Sequence, residues 1–198
     1  MKILVIGAAG TIGKAVAAEL SRRHEIVTAG RSSGDVRVNI ADVESIRKMY
    51  ERVGRLGAVA CAAGNVHFGP LASMTPEQFD VGLRDKLMGQ VNLVLAGREH
   101  VEPGGSFTLI TGVLAQDPIV YGSAASLVNG ALESFVRAAA VELRDHRINA
   151  VSPSVLEESM DAYGAYFRGF EPVAVRRVAL AYSKSIEGAQ TGQVYQVL

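Results

Sequence analysis

What this chain has little of bounds it before any motif is read. A single cysteine, Cys61, among 198 residues excludes an internal disulfide. Its place in the apolar run Ala58–Ala63 reads as a small buried hydrophobe rather than a reactive thiol. Charge of one sign is not in excess: 20 basic and 20 acidic side chains cancel, so nothing advertises nucleic acid or an anionic membrane as a partner. No apolar run approaches the ~20 residues of a transmembrane helix, and Met1–Ile6 is too short for the apolar region of a signal peptide, so a soluble, cytoplasmic protein is expected. The histidines, His24, His67, His100 and His146, have no i,i+4 pairing and no cysteine neighbours, so no metal site is expected. Repeats, low-complexity tracts and linkers are also lacking. With 48% hydrophobic residues, residues 1–198 suit one domain around one core.

What is present is organised around the first thirteen residues. Lys2–Ile6 is a continuous apolar run of strand length, as expected for a strand covered on both faces. Glycines follow at Gly7, Gly10 and Gly13, and from Ile12 the apolar residues Val16 and Leu20 recur at helical spacing. The glycines therefore occupy a strand-to-helix turn, where they permit a tight bend, close approach of a phosphate to the backbone, and close helix–strand packing. The free N–H groups at the helix start then face any anion that enters. Glycine supplies 21 of the 198 residues, so the spacing alone is weak; the strand before it and the helix after it make it a dinucleotide site.

Strand and helix alternate along the rest of the chain. Glu25–Ala29 reads as a second strand and Val36–Ile40 as a short third, followed by a helix capped by Asp42 with Ile46, Met49, Tyr50 and Val53 on its apolar face. Ala58–Ala62 is a fourth strand. Thr75-Pro76-Glu77-Gln78 combines a capping box with proline at the first helical position, and opens a helix with Phe79, Leu83, Leu87, Val91 and Leu95 on one stripe. Phe107–Thr111 is a fifth strand. A long helix from about Tyr121 to Arg144 carries Leu132, Phe135, Val136, Ala139 and Leu143 on one stripe. Ile148–Val151 is a sixth strand, Val173–Ser185 is helical, and Gln193–Leu198 is a final strand. The alternation predicts an α/β fold with a doubly wound parallel sheet, Rossmann-like, of about seven strands with helices on both faces.

About 20 residues past the glycine turn, an NAD-binding fold places an acid for the ribose 2′-hydroxyl. Here that position is Arg31. A guanidinium pairs with a 2′-phosphate, and the missing carboxylate removes the repulsion that would reject it, which favours NADP over NAD. An arginine merely solvated in its loop is the competing reading.

With these elements placed, the chain resembles the short-chain dehydrogenase/reductase family over essentially its whole length. The resemblance rests on the order of landmarks: the glycine turn, Ala62-Ala63-Gly64, Tyr121 opening the long helix, Ala138–Leu143, Ile148-Asn149-Ala150-Val151-Ser152-Pro153, and Thr191-Gly192-Gln193. It implies a nicotinamide cofactor, NADP(H), across the carboxyl ends of the strands. By position, Gly7, Thr11, Ile12 and Gly13 would take the pyrophosphate, with Gly10 completing the turn. Arg31 and Ser32 would take the adenosine phosphate, Asn39 and Ile40 the adenine. Ala62 and Gly64 would pass beneath the ribose, and Val155 would meet the carboxamide through its backbone.

At the catalytic positions the sequence departs from the family. Such an enzyme uses Ser, Tyr and Lys, the Lys four residues after the Tyr, and an Asn on the preceding long helix. Here Tyr121 is present, but Ala125 stands at the lysine position, Thr111 or Gly112 at the serine position, and Lys86 at the asparagine position. A free phenol has a pKa of ~10, and an ammonium ~4 Å away at an effective dielectric of ~20 would lower it by roughly 2 to 3 on the pH scale. Without that ammonium, proton abstraction suffers more than proton donation, so reduction of a carbonyl is expected: Tyr121 donates the proton and Thr111 polarises the oxygen. Lys86 either reaches into the space vacated at Ala125 and restores the charge, or is an ordinary solvated residue beside Arg84 and Asp85. Tyr121 and Thr111 have bland alternatives too, as a packed ring and as a strand residue. The aromatic segment Tyr163–Phe170 lies at the family's substrate lid. The alternative to an enzyme is a catalytically silent NADP(H)-binding sensor or partner protein. A homodimer or homotetramer is implied by the family, with Ala131, Ala138 and Ala139 allowing close helix approach.

Overall fold

The apolar runs become the strands of one sheet. The computed structural model describes residues 1–198 and contains β1 (Lys2–Ile6), β2 (Glu25–Gly30), β3 (Val36–Arg37), β4 (Leu56–Cys61), β5 (Val101–Ile110), β6 (Arg147–Pro153) and β7 (Val194–Val197). They pair in the order β3-β2-β1-β4-β5-β6-β7, every pair parallel. The order reverses at β1, so the carboxyl ends of β1 and β4 diverge there and leave a crevice, where open α/β sheets bind ligands.

Helices cover both faces, as the alternation predicts. One face carries α2 (Val43–Val53), α4 (Met88–Gly97) and α5 (Ser123–Glu142), packed through Ile46, Tyr50, Leu93, Val128, Leu132 and Val136. The other carries α1 (Thr11–Leu20) and α7 (Val175–Glu187), through Val16, Leu20, Val178, Tyr182 and Ile186. Asp42 caps α2 by accepting the Glu44 N–H at 2.9 Å, and the capping box of α3 (Pro76–Val81) is complete on both sides. The remaining helix, α6 (Met160–Tyr163), is one turn. Cys61 is fully buried and its thiol is pushed up to about 12 by that burial, which suits the small-hydrophobe reading. No helix is long and apolar enough to cross a membrane.

Three expectations are corrected. β3 ends at Arg37 rather than Ile40, because Asn39 turns the chain: its side-chain oxygen accepts the Ala41 N–H at 3.3 Å and its carbonyl accepts that of Asp42 at 3.0 Å. The helix after Thr75 is not one uniform α-helix. Between α3 and α4, Gly82–Leu87 forms a π turn, whose extra residue rotates the buried stripe beyond it. Gly89, Gln90, Leu93 and Val94 turn inward, and Leu95, expected on the stripe, is 48% exposed. On α5, Ala139 packs in this chain's own core while Ala138 is exposed, so Ala131, Ala138 and Ala139 do not form one free face.

Candidate functional site

At the start of α1 the residue in the cap position is Gly10, which has no side chain to satisfy the first-turn donors. The first intrahelical bond of the turn runs from the Lys14 N–H to the Gly10 carbonyl at 2.9 Å, leaving the N–H groups of Thr11, Ile12 and Gly13 at the open end. Gly13 cannot carry a side chain: a Cβ there would lie 2.1 Å from the Gly7 carbonyl oxygen. The turn is thus drawn tight against β1, and a helix start with unengaged donors is a place where an anion can bind.

Beside this turn lies a groove of about 210 Å³ lined by Gly7, Gly30, Arg31, Ile40, Gly64 and Asp85, among others. Two of the four residues expected to hold the adenosine half, Arg31 and Ile40, are here. Ser32 lies exposed in the adjoining loop, and Asn39 touches the groove through Arg31, whose Nη2 donates to its Oδ1 at 3.3 Å. Arg31 is not free. Its Nη2 also donates to Asp85 Oδ2 at 2.9 Å. The acid lacking at the expected position is supplied from the π turn 54 residues later, so the groove holds both charges.

Across Ala63 and Gly64, which line both, the groove adjoins a cavity of about 370 Å³. Ile12, Ala62, Thr111, Gly112, Ala125, Asn129 and Val155 line it, and Lys86 is its only charged residue. Lys86 belongs to the π turn, its stem packed so closely on Gly64 that a Cβ there would meet Lys86 Cγ at 2.6 Å. Its Nζ donates to the Thr111 carbonyl at 3.2 Å, and burial lowers the ammonium from 10.5 to about 8. Lys86 and Ala125 both line this cavity. The Thr111 hydroxyl turns the other way, with the Glu133 carboxylate and the Val151 carbonyl each at 3.3 Å. One hydroxyl proton serves one of these at a time, so both acceptors that engage it belong to the protein. Glu133 is 2% exposed and also accepts from Gln116. Asn129, one turn beyond Ala125, donates to the Gly112 carbonyl at 3.4 Å and leaves its Oδ1 buried without a partner.

Tyr121 lies outside this cavity. It precedes α5 rather than opening it, is 45% exposed, and is the one non-glycine residue with a positive φ, +67°. Its carbonyl accepts the Gly69 N–H at 3.1 Å, which pins the bend. The ring meets Tyr166 edge-on at 6.1 Å and lines an apolar cleft of about 320 Å³ with Phe68, Ile119, Tyr163 and Phe167. Phe68, Tyr163 and Phe167 line both spaces, so cleft and cavity adjoin. Of the catalytic candidates expected from sequence, Lys86 and Thr111 come together in space and Tyr121 stays at the rim. Asp85, Asn129 and Glu133 were missed. Asp85 and Lys86 are consecutive residues that both turn inward, and Gly82 before them is the only local hint of the π turn.

The family model described as Enoyl-(Acyl carrier protein) reductase matches residues 8–191. The chain belongs to the short-chain dehydrogenase/reductase family. This short-chain dehydrogenase/reductase is 32% identical over 195 residues to the trihydroxynaphthalene reductase PfmaI of Pestalotiopsis fici, covering 85% of this chain and 68% of that one. It is 31% identical to the tetrahydroxynaphthalene reductase of Pyricularia oryzae over the same shares. It thus spans a little over two thirds of these relatives' length, 68% of each. Among solved structures it matches the protein lin1944 of Listeria innocua with a TM-score of 0.99 and 51% identity over 100% of both chains. A small-chain dehydrogenase in complex with NADPH shares the fold, with a TM-score of 0.89 at 23% identity, covering 100% of this chain and 96% of that one.

Proposed function

We propose that this chain is an NADP(H)-dependent oxidoreductase that reduces a carbonyl group of a small molecule in the Lys86 cavity. The observation that carries the reading is adjacency: the Arg31 groove and the Lys86 cavity share Ala63 and Gly64, and the glycine turn borders the groove through Gly7 and the cavity through Ile12, along the carboxyl ends of β1, β4, β5 and β6. The residues present fit the cofactor. Gly10 leaves backbone donors for a pyrophosphate, Arg31 stands beside the groove for a further phosphate, and Val155 lines the cavity where the carboxamide would lie. When bound, the reduced nicotinamide supplies a hydride to the carbonyl carbon.

The chain's own residues then handle the oxygen. Lys86, held by the Thr111 carbonyl, places its positive charge where negative charge develops on that oxygen, in a partly dewatered site where such a charge acts strongly. Thr111 contributes through that carbonyl. A proton must reach the oxygen, and Tyr121 is its donor in this reading. The strained backbone at Tyr121 supports it, since a bulky residue at positive φ costs roughly 1 to 3 kcal/mol and such positions cluster at active sites. A second donor is favoured by one observation: Tyr163 lines both the cleft and the cavity.

The family's pairing of long helices gives a further part of the proposal, a homodimer or homotetramer. Met88 and Leu95 on α4 and Leu127 and Val141 on α5 are exposed apolar side chains that such pairing would cover.

NADPH fluorescence titration tests binding. Arg31→Asp should weaken NADPH at least tenfold while sparing NADH, as expected from exchanging a phosphate-binding charge for a repelling one. Oxidation of NADPH against a panel of quinones, aldehydes and ketones tests chemistry. Tyr121→Phe should lower turnover by roughly a hundredfold or more, and if Tyr163→Phe does so instead, the donor is Tyr163. Tight NADPH binding with no turnover on any substrate would favour the silent sensor.

A further inference from the structure

We propose that Asp85 is a specificity-determining residue that restrains the preference for the phosphorylated dinucleotide by holding Arg31 and opposing the 2′-phosphate. The inference rests on the NADP(H) reading above.

The Asp85 carboxylate is a fixed part of the groove wall. Its Oδ1 accepts the Asn65 backbone N–H at 2.9 Å, and its Oδ2 accepts Asn65 Nδ2 at 3.2 Å and Arg31 Nη2 at 2.9 Å. Its side chain is 12% exposed, whereas that of Arg31 is 63% exposed. The acid is the anchor and the arginine the movable arm. Asn65 cannot neutralise the carboxylate, because both of its donors are uncharged amides. An anion entering the groove beside Arg31 therefore meets a guanidinium that is already engaged, and a carboxylate that stays in place when the arm swings away from it.

The size of the effect follows from Coulomb's law. A phosphate of charge near −2 about 7 Å from a carboxylate is repelled, even at the dielectric of water, by enough to lose roughly five- to tenfold in affinity, a loss felt by NADPH and not by NADH. The carboxylate does not abolish 2′-phosphate binding, because the arm can swing. It lowers the ratio between the two nucleotides.

The experiment is titration of the intact chain with NADPH and with NADH, by fluorescence and by calorimetry, for the unaltered protein, Asp85→Asn and Asp85→Ser. An amide at position 85 keeps an oxygen for the Asn65 N–H, and serine is small enough to leave the wall unstrained. Asp85→Asn should bind NADPH roughly five- to tenfold more tightly and NADH within about twofold of the parent. The gain should shrink in about 1 M salt, where the Debye length falls to ~3 Å. If both nucleotides bind but the NADPH:NADH ratio stays level or falls in both variants, the inference is overturned. Selective weakening of NADH would make Asp85 a ribose acceptor instead. If the unaltered protein binds neither nucleotide, the reading of the groove fails and this inference with it.

Discussion

The two ends of the site are built from different material. At the glycine turn the groups on offer are backbone: the open donors of Thr11, Ile12 and Gly13, held in place by a turn that only glycine permits. In the Lys86 cavity the polar groups are side chains carried in from separate elements: Lys86 from the π turn, Asn129 from α5 and Tyr163 from α6. A backbone site depends on chain geometry and is disrupted by bulk. A side-chain site depends on charge and reach and is disrupted by deletion.

The sharpest way to break the first end is Gly13→Ala. One methyl group placed 2.1 Å from the Gly7 oxygen cannot be accommodated without moving α1 off β1. The expected cost is roughly 3 kcal/mol of stability, at the upper end for an overpacked site, together with loss of NADPH binding. Thermal unfolding and titration measure both. Retention of the parent's melting temperature and affinity would mean that the turn yields.

The second end breaks by removing charge. Lys86→Met keeps the stem that packs on Gly64 and removes the ammonium, so nucleotide affinity should stay within about twofold while turnover falls roughly a hundredfold, the scale of losing one preorganised electrostatic group. The pH dependence has a definite sign. Burial holds the folded ammonium near 8 against 10.5 for the ordinary group, so below about 8 it is charged in both folded and unfolded chains. Between 8 and 10.5 the unfolded chain binds more protons. This group therefore makes stability rise with pH across that window and level off above it, a slope that Lys86→Met lacks. Activity runs the opposite way, falling as pH rises through 8 and the charge is lost. A flat activity profile between pH 7 and 9 would remove Lys86 from the chemistry.

The same contrast explains what could be read from sequence. A backbone site announces itself locally: a strand, three glycines and a helix start within thirteen residues. The seven-strand sheet was legible for a similar reason, because a strand buried on both faces must be a continuous apolar run. The side-chain end was legible only where one residue occupies a recognisable position, as Lys86 and Thr111 do. Asp85 was hidden because its partner Arg31 lies 54 residues away and nothing local relates them. The π turn hid the phase of α4, since a stripe counted at fixed spacing through Gly82–Leu87 continues onto Leu95, which is exposed. Tyr121 sits at the expected place in sequence, yet the bend held by Gly69 carries its ring to the rim.

The smallest effect sharpens the comparison within a single turn of chain. Arg84 stands two residues before Lys86 in the same π segment, and along the sequence the two look like equivalent cations flanking an acid. Arg84 pairs with Asp80 one turn back, Nη2 to Oδ2 at 2.8 Å, with the two side chains 77% and 45% exposed. An exposed i,i+4 pair of this kind contributes about 0.5 kcal/mol or less, because water screens the charges and two long side chains must be ordered. Arg84→Ala should therefore shift the melting temperature by no more than a degree or two and leave NADPH affinity, turnover and the pH profile unchanged. If it instead reproduced the turnover loss of Lys86→Met, the effect of both would belong to the positive potential of the segment as a whole, and the assignment of one ammonium to the cavity would fall.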